Sequence, residues 1–274
     1  MKLRRQNRSP IEIAVAWVMA TINPPHRGRR GRCLRCGDHR TGRAGMLEPA
    51  GRIAMVSGAS RGIGRAVAER LAQAGYRISA GLRDPCRAPA GWYACRYEAE
   101  EAGGAQAWTA ATVAEFGRVD VLVNAAGINP MARFLDPDET AFDALMAVNV
   151  KAPMRVIRAA WPHLVASGTG RIVNIASLSG KRVRNDNAGY AMAKAALVSL
   201  TQAIRREGWE HGIRATALCP GFVETDMTAH VTKQPRELMT RPADVAAVVE
   251  TLVRLPNTAS VAELLLNCRH EDML

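Results

Sequence analysis

Two side chains four residues apart carry the most specific chemistry in this 274-residue sequence, the phenol of Tyr190 and the ammonium of Lys194. On a helix that spacing puts both groups on one face. A free tyrosine, with a pKa near 10, is a poor acid or base around neutrality. A cation beside it favours phenolate and lowers that pKa, which suits proton transfer to or from a carbonyl oxygen. Such a pair alone is commonplace on protein surfaces. Its weight depends on what the rest of the chain brings to it.

A second group of residues points to a phosphate-bearing ligand. Gly58-Ala59-Ser60-Arg61-Gly62-Ile63-Gly64 lies between an apolar run and an amphipathic stretch. Glycines there let the backbone turn tightly and approach a pyrophosphate, and the following helix N-terminus offers unpaired N–H groups. The spacing G-x-x-x-G-x-G differs from the commoner G-x-G-x-x-G. The ribose 2′ position of a dinucleotide is read near the end of the second strand, roughly 20 residues on. Arg83 follows Leu82 there, and Arg61 projects from the turn. Two guanidiniums clamp a phosphate, which favours NADP(H) over NAD(H). Two alternatives stand beside this: both arginines as solvated surface groups, and Asp84 as an acid for the ribose after a small register shift.

What must position these groups is an alternation of short apolar runs and longer amphipathic stretches from Gly51 onward, the pattern of a parallel sheet covered by helices on both faces. About seven strands are predicted, over residues 52–57, 76–82, 92–97, 119–124, 171–176, 213–219 and 261–268. Helices are predicted over 62–74, 105–116, 188–207 and 242–254. Residues 138–165 read as a long helix that Pro153 kinks or divides. Between the second and third strands about nine residues remain, including Pro85 and Pro89, too few for a crossover helix. An irregular or one-turn connection is expected there. Residues 222–240 read as a loop with short helices that covers the pocket and contributes Met227, His230 and Val231. The fold class is α/β, a doubly wound Rossmann fold in a single domain over residues 46–274.

Taken in order, these motifs resemble the short-chain dehydrogenase/reductase family. The resemblance rests on the glycine turn, on Asn124-Ala125-Ala126-Gly127 after the fourth strand, and on Asn149 in the following helix. It continues through Ser177 after the fifth strand, Tyr190-x-x-x-Lys194, and Pro220-Gly221 with Val223 and Thr225 after the sixth. It implies an oxidoreductase that moves hydride between a nicotinamide and a carbonyl or secondary alcohol, as a homodimer or homotetramer. It implies Tyr190 as general acid in reduction and base in oxidation, and Lys194 as the group that lowers its pKa and holds the nicotinamide ribose. Ser177 would donate to the substrate oxygen, and Asn149 would hold a water linking Lys194 to solvent. Gly58, Ser60, Arg61, Gly62, Ile63 and Gly64 would meet the phosphates, and Arg83 the 2′ position. Asn124, Ala125 and Gly127 would line the adenosine-ribose side, and Pro220, Gly221, Val223 and Thr225 the nicotinamide. Ser179 rivals Ser177, which stands 13 residues before Tyr190 as the family pattern expects. Ser57 replaces the usual Thr, and Ala125 stands where Asn is frequent. Glu98 or Glu100 stands where the family's adenine-contacting Asp is expected. A cofactor-sensing or interaction protein that keeps the pocket without catalysis is the alternative of another class.

Composition bounds the rest. Hydrophobic residues make up 48% and charged residues 23%, ordinary for a globular chain. The net charge of +12 suggests a nucleic-acid binder, yet residues 1–45 hold 11 Lys and Arg against only Glu12 and Asp38. The basicity therefore belongs to a leader, and no nucleic-acid partner is expected for the body; salt-dependent binding through the Arg-rich leader is a third hypothesis. The leader reads as a basic, disordered segment, with Met46 as an alternative start. Its basic start and apolar stretch resemble an export signal incompletely, with Glu12 at the edge and no small-residue cleavage site. Cys33, Cys36 and His39 lack a fourth zinc ligand nearby, so no metal site is expected. Six scattered cysteines form no disulfide framework, which suits a reducing cytoplasm. No apolar run reaches the roughly 20 residues of a membrane span.

Overall fold

Seven short aliphatic runs pair side by side: β1 (Ile53–Ser57), β2 (Arg77–Leu82), β3 (Tyr93–Arg96), β4 (Val121–Asn124), β5 (Arg171–Ile175), β6 (Arg214–Pro220) and β7 (Glu263–Leu266). The computed structural model describes residues 45–270. Within them all pairings are parallel, in the order β3-β2-β1-β4-β5-β6-β7. The leader, with Cys33, Cys36 and His39, lies outside the described residues. The edge strands β3 and β7 are shorter than their apolar runs predict. Each has a single neighbour, and at the C-terminal end pairing stops where that neighbour stops, at Leu82 and Pro220.

Alternation along the strands builds the layers, because successive side chains point to opposite faces. Ala54 and Val56, Val121 and Val123, and Val173 and Ile175 face one side, while Met55, Leu122 and Ile172 face the other. Both faces are covered, which explains why these strands read as continuous apolar runs. The helices are α1 (Gly62–Ala74), α2 (Gly104–Phe116), α3 (Thr140–Met146), α4 (Ala152–Ala166), α5 (Ala188–Gly208) and α6 (Pro242–Arg254). Val67 and Leu71 of α1 and Val245, Val249 and Val253 of α6 fill the first face. Trp108 of α2, Val156, Ile157 and Leu164 of α4, and Ile204 of α5 fill the second. Each such aliphatic side chain contributes about 1.5–3 kcal/mol by leaving water. The Trp108 indole donates to Ser79 Oγ at 2.9 Å, and Ser79 meets Thr112 Oγ1 at 2.6 Å, so these three side chains satisfy one another.

The long helix expected over 138–165 is divided. Between α3 and α4 lies a π-helical turn, Ala147–Lys151, in which the Ala152 N–H bonds the Ala147 carbonyl. Pro153 sits in the first turn of α4, where its missing N–H breaks no bond inside that helix. It does deprive the Asn149 carbonyl of its ordinary α-helical donor, and Asn149 lies in the π turn. The short β2–β3 connection is a single 3₁₀ turn, Pro85–Arg87, whose Cys86 N–H is capped by Asp84 at 3.1 Å.

Candidate active site

The C-terminal ends of β1, β4, β5 and β6 open onto a cavity of about 400 Å³, beside the point between β1 and β4 where the strand order reverses. Its floor is the loop after β4, represented by Ala125 and Gly127, and the turn after β5, represented by Ser177 and Ser179. Its roof is the segment 222–240, with Met227, His230 and Val231 among the lining residues. Two 3₁₀ turns, Asp226–Thr228 and Arg236–Leu238, give this roof its local order.

The glycine turn leads from β1 into α1. The first turn of α1 has no side-chain cap and no acid, so its N–H groups are left for an anion. Gly62 adopts φ +57°, a left-handed backbone open to glycine. A Cβ on Gly64 would collide with the Gly58 carbonyl. Ser57 Oγ accepts from the Ala125 and Ala126 N–H groups at 3.1 and 3.2 Å, tying the turn to the end of β4. A hydroxyl suffices for that role, so Ser in place of Thr loses nothing here. The cradle has the backbone shape and the donors that a dinucleotide requires, and Ile63 of the turn lines the cavity.

The chemical end of the cavity is set by the start of α5. Asn187 caps that helix: its Oδ1 accepts from the Tyr190 N–H at 3.3 Å and the Ala132 N–H at 3.1 Å. Its Nδ2 donates to Pro130 O at 2.8 Å and Asn129 Oδ1 at 2.9 Å. One buried amide thus joins the start of α5 to the loop after β4. Sequence reading passed over Asn187, although an Asn just before a helix is an N-cap signal.

Three of the expected site residues meet in the cavity: Ser177, Tyr190 and Lys194. The Tyr190 phenol has a hydrogen bond with Ser177, and Ser177 Oγ accepts from the Ser179 N–H at 3.1 Å. The rival Ser179 lines the cavity too, but Ser177 is the hydroxyl bonded to the phenol. Lys194 Nζ donates to the Ile175 carbonyl at 2.8 Å and lies 5.6 Å from the Tyr190 ring centroid. Burial pushes the phenol up to about 12, opposed by the Ser177 hydrogen bond. Burial brings the Lys194 ammonium down to about 8, opposed by Cys219. Lys194 is not among the groups acting on the phenol, its ammonium being turned toward the Ile175 carbonyl.

Asn149 approaches from the π turn without lining the cavity. Its Oδ1 accepts from the Ile128 N–H at 3.1 Å and its Nδ2 donates to Ile128 O at 3.0 Å. With both ends of the amide bonded to the backbone of one residue, the side chain holds the loop after β4. Gly127 fits beneath it because a Cβ there would come within 2.9 Å of Asn149 Oδ1.

A short chain dehydrogenase family profile matches residues 52–236. The chain belongs to the short-chain dehydrogenase family. It is 38% identical over 229 residues to an agropine synthesis reductase of Rhizobium rhizogenes, covering 81% of this chain and 53% of that one. It spans about half the length of that relative. Among solved structures it resembles a dehydrogenase/reductase from Sinorhizobium meliloti 1021, with a TM-score of 0.74, 31% identity, and 80% and 94% of the two chains covered. It also resembles a short chain dehydrogenase from Burkholderia cenocepacia in complex with NADP, with a TM-score of 0.72, 29% identity, and 80% and 97% covered.

Against the family's pattern, the remaining expected residues divide. Pro220, Gly221, Val223 and Thr225 line the cavity beside Ala125 and Gly127. Asn124 does not. Its Nδ2 donates to Asn174 Oδ1 at 2.8 Å, and Asn174 passes the chain on to Thr201 Oγ1 at 2.8 Å, a buried link from β4 through β5 to α5. Register puts Asn124 and Asn174 level, a relationship invisible from either alone. Glu98 also stands away from the cavity, paired with Arg96 at 3.0 Å. Arg83 is exposed just past β2. Arg61, exposed at the turn, is paired with Asp226 of the roof.

Proposed function

We propose that the protein is an NADP(H)-dependent oxidoreductase that interconverts a carbonyl and a secondary alcohol, with Tyr190 as its general acid and base. The meeting of Ser177, Tyr190 and Lys194 in one cavity beside the glycine-turn cradle carries this reading. A bound nicotinamide dinucleotide supplies or accepts the hydride. Gly58, Ser60, Gly62, Ile63 and Gly64 hold its phosphates at the α1 N-terminus. Ala125, Gly127, Pro220, Gly221, Val223 and Thr225 shape the remainder of its bed. Arg61 and Arg83 supply the cations for a 2′-phosphate, a preference supported by the NADP complex of the Burkholderia neighbour.

The buried phenol stays protonated at neutral pH, so it is poised to give its proton to a carbonyl oxygen as negative charge builds there. Ser177 holds the same oxygen through a second hydrogen bond. Lys194 returns a proton to the phenolate, and the Asn149 carbonyl, deprived of its α-helical donor, anchors the path to solvent. The same proposal places the enzyme in a reducing cytoplasm as a homodimer or homotetramer, which light scattering after gel filtration reads directly. Cys86, Cys95, Cys219 and Cys268 are free thiols, in keeping with that compartment.

The test is Tyr190→Phe, assayed with NADPH and NADH over a panel of ketones and secondary alcohols. Turnover is expected to fall by about 10²-fold or more, while cofactor binding stays measurable. Undiminished turnover would remove Tyr190 from the chemistry.

A further inference from the structure

The buried amide of Asn187 fixes the orientation of a second amide beside it. Two backbone N–H groups, of Tyr190 and Ala132, meet its Oδ1, and the Pro130 carbonyl meets its Nδ2. Backbone groups cannot exchange donor for acceptor, so the two ends of Asn187 are determined. The other hydrogen of its Nδ2 goes to Asn129 Oδ1 at 2.9 Å. Asn129 is thereby determined as well, with its oxygen toward Asn187 and its NH2 group on the opposite branch.

Asn129 lines the cavity that holds Ser177 and Tyr190. Its Nδ2 has no acceptor among the described residues, yet it is not one of the polar atoms sealed from solvent, so it faces open space. Asn185, also in the lining, repeats the arrangement. Its Oδ1 accepts from the Asn187 N–H at 3.1 Å, and its Nδ2 has no acceptor among the described residues. An amide held by its oxygen is a preorganised donor, because the fold has already ordered it. A ligand that brings an oxygen to such a group replaces its water hydrogen bond, whereas a methylene there leaves the N–H unpaired.

We propose that Asn129 is a specificity-determining residue, and that the substrate is a carbonyl or secondary alcohol with a second oxygen acceptor, a keto, ether or hydroxyl oxygen. That oxygen accepts from Asn129 Nδ2 while the reacting oxygen lies against Ser177 and Tyr190. This rests on the oxidoreductase reading for the reacting oxygen, and on the amide network alone for the second one.

The experiment compares methoxyacetone with methyl propyl ketone, which has a methylene where the ether oxygen stands, using the full chain. Turnover is read by loss of NADPH absorbance. Binding is read by titration calorimetry with oxidised NADP present, which can reduce neither ketone. Methoxyacetone is expected to bind about three- to tenfold more tightly, the size of a neutral hydrogen bond. Asn129→Asp keeps an oxygen for Asn187 Nδ2 and puts another where the donor stood, so the gap between the two ketones is expected to close. A merely structural role for Asn129 would weaken both ketones alike. The inference is overturned if the wild-type protein binds the two equally, or binds neither, or if the Asp variant keeps the gap. Selective binding without turnover would keep the donor and remove the oxidoreductase reading; turnover of both ketones with equal affinity would do the reverse.

Discussion

Arg61 Nη1 lies 2.9 Å from Asp226 Oδ2, so the glycine turn and the roof are joined by an ion pair. Both side chains are well exposed, and such a pair contributes about 1 kcal/mol or less. On the proposed reading, the 2′-phosphate of NADPH would displace Asp226 from Arg61. Arg61→Ala is expected to raise the KM for NADPH about tenfold, with little change for NADH. Equal losses with both cofactors would remove Arg61 from 2′-phosphate recognition.

For Lys194, stability and the proposed catalytic role pull apart. Its ammonium titrates at about 8 in the fold against an ordinary 10.5. Between those values the unfolded chain binds more protons, so the Lys194 contribution to stability rises with pH. It is complete above 10.5 and lost as pH falls through about 8. Tyr190 runs the other way: its contribution is present below 10.0 and lost as pH climbs through about 12. Lys194→Met is therefore expected to abolish turnover yet stabilise the protein by about 1–3 kcal/mol around neutrality. Urea melts of both proteins across this range check it. Their midpoints should converge near the ordinary lysine pKa, and a variant less stable at neutral pH would contradict the assignment.

Gly127 and Asn149 form a matched pair. Gly127→Ala puts a methyl against Asn149 Oδ1 and prises the amide from the Ile128 peptide. A loss of about 1–3 kcal/mol is expected from overpacking, together with a fall in kcat larger than the change in KM. A variant with native melting and native kcat would show that the loop after β4 tolerates displacement.

Asn187→Ala removes a helix cap and leaves Pro130 O and the Ala132 N–H without their partner. The cost is expected to be about 2 kcal/mol. Asn187→Asp keeps the cap but not the two donations from Nδ2, so it separates helix start from loop anchoring. If Asp restores stability while kcat stays low, the loop contacts matter to catalysis; full recovery of both would assign Asn187 to capping alone.

Much of the architecture was legible before any coordinates. Residues 53–57 and 121–124 are apolar on both faces, and the helices around them show one apolar side, because each element must bury its own surface. The Tyr190–Lys194 spacing was legible for the same reason, as the helix period dictates which residues share a face. The edge strands were less so. Their ends depend on a neighbour's register rather than on their own composition.

The chain's residue types determined the fold class, the glycine turn and the candidates for the reacting groups, since these follow from local backbone geometry and from side-chain chemistry. Only the tertiary structure decided where those groups point. It set Asn124 against Asn174 rather than in the cavity, turned Lys194 toward Ile175, committed Arg61 to Asp226, and gathered Arg182, Lys233 and Arg269 around one opening. Each of these pairs residues from distant segments, and such partners are chosen by packing, which no local pattern encodes.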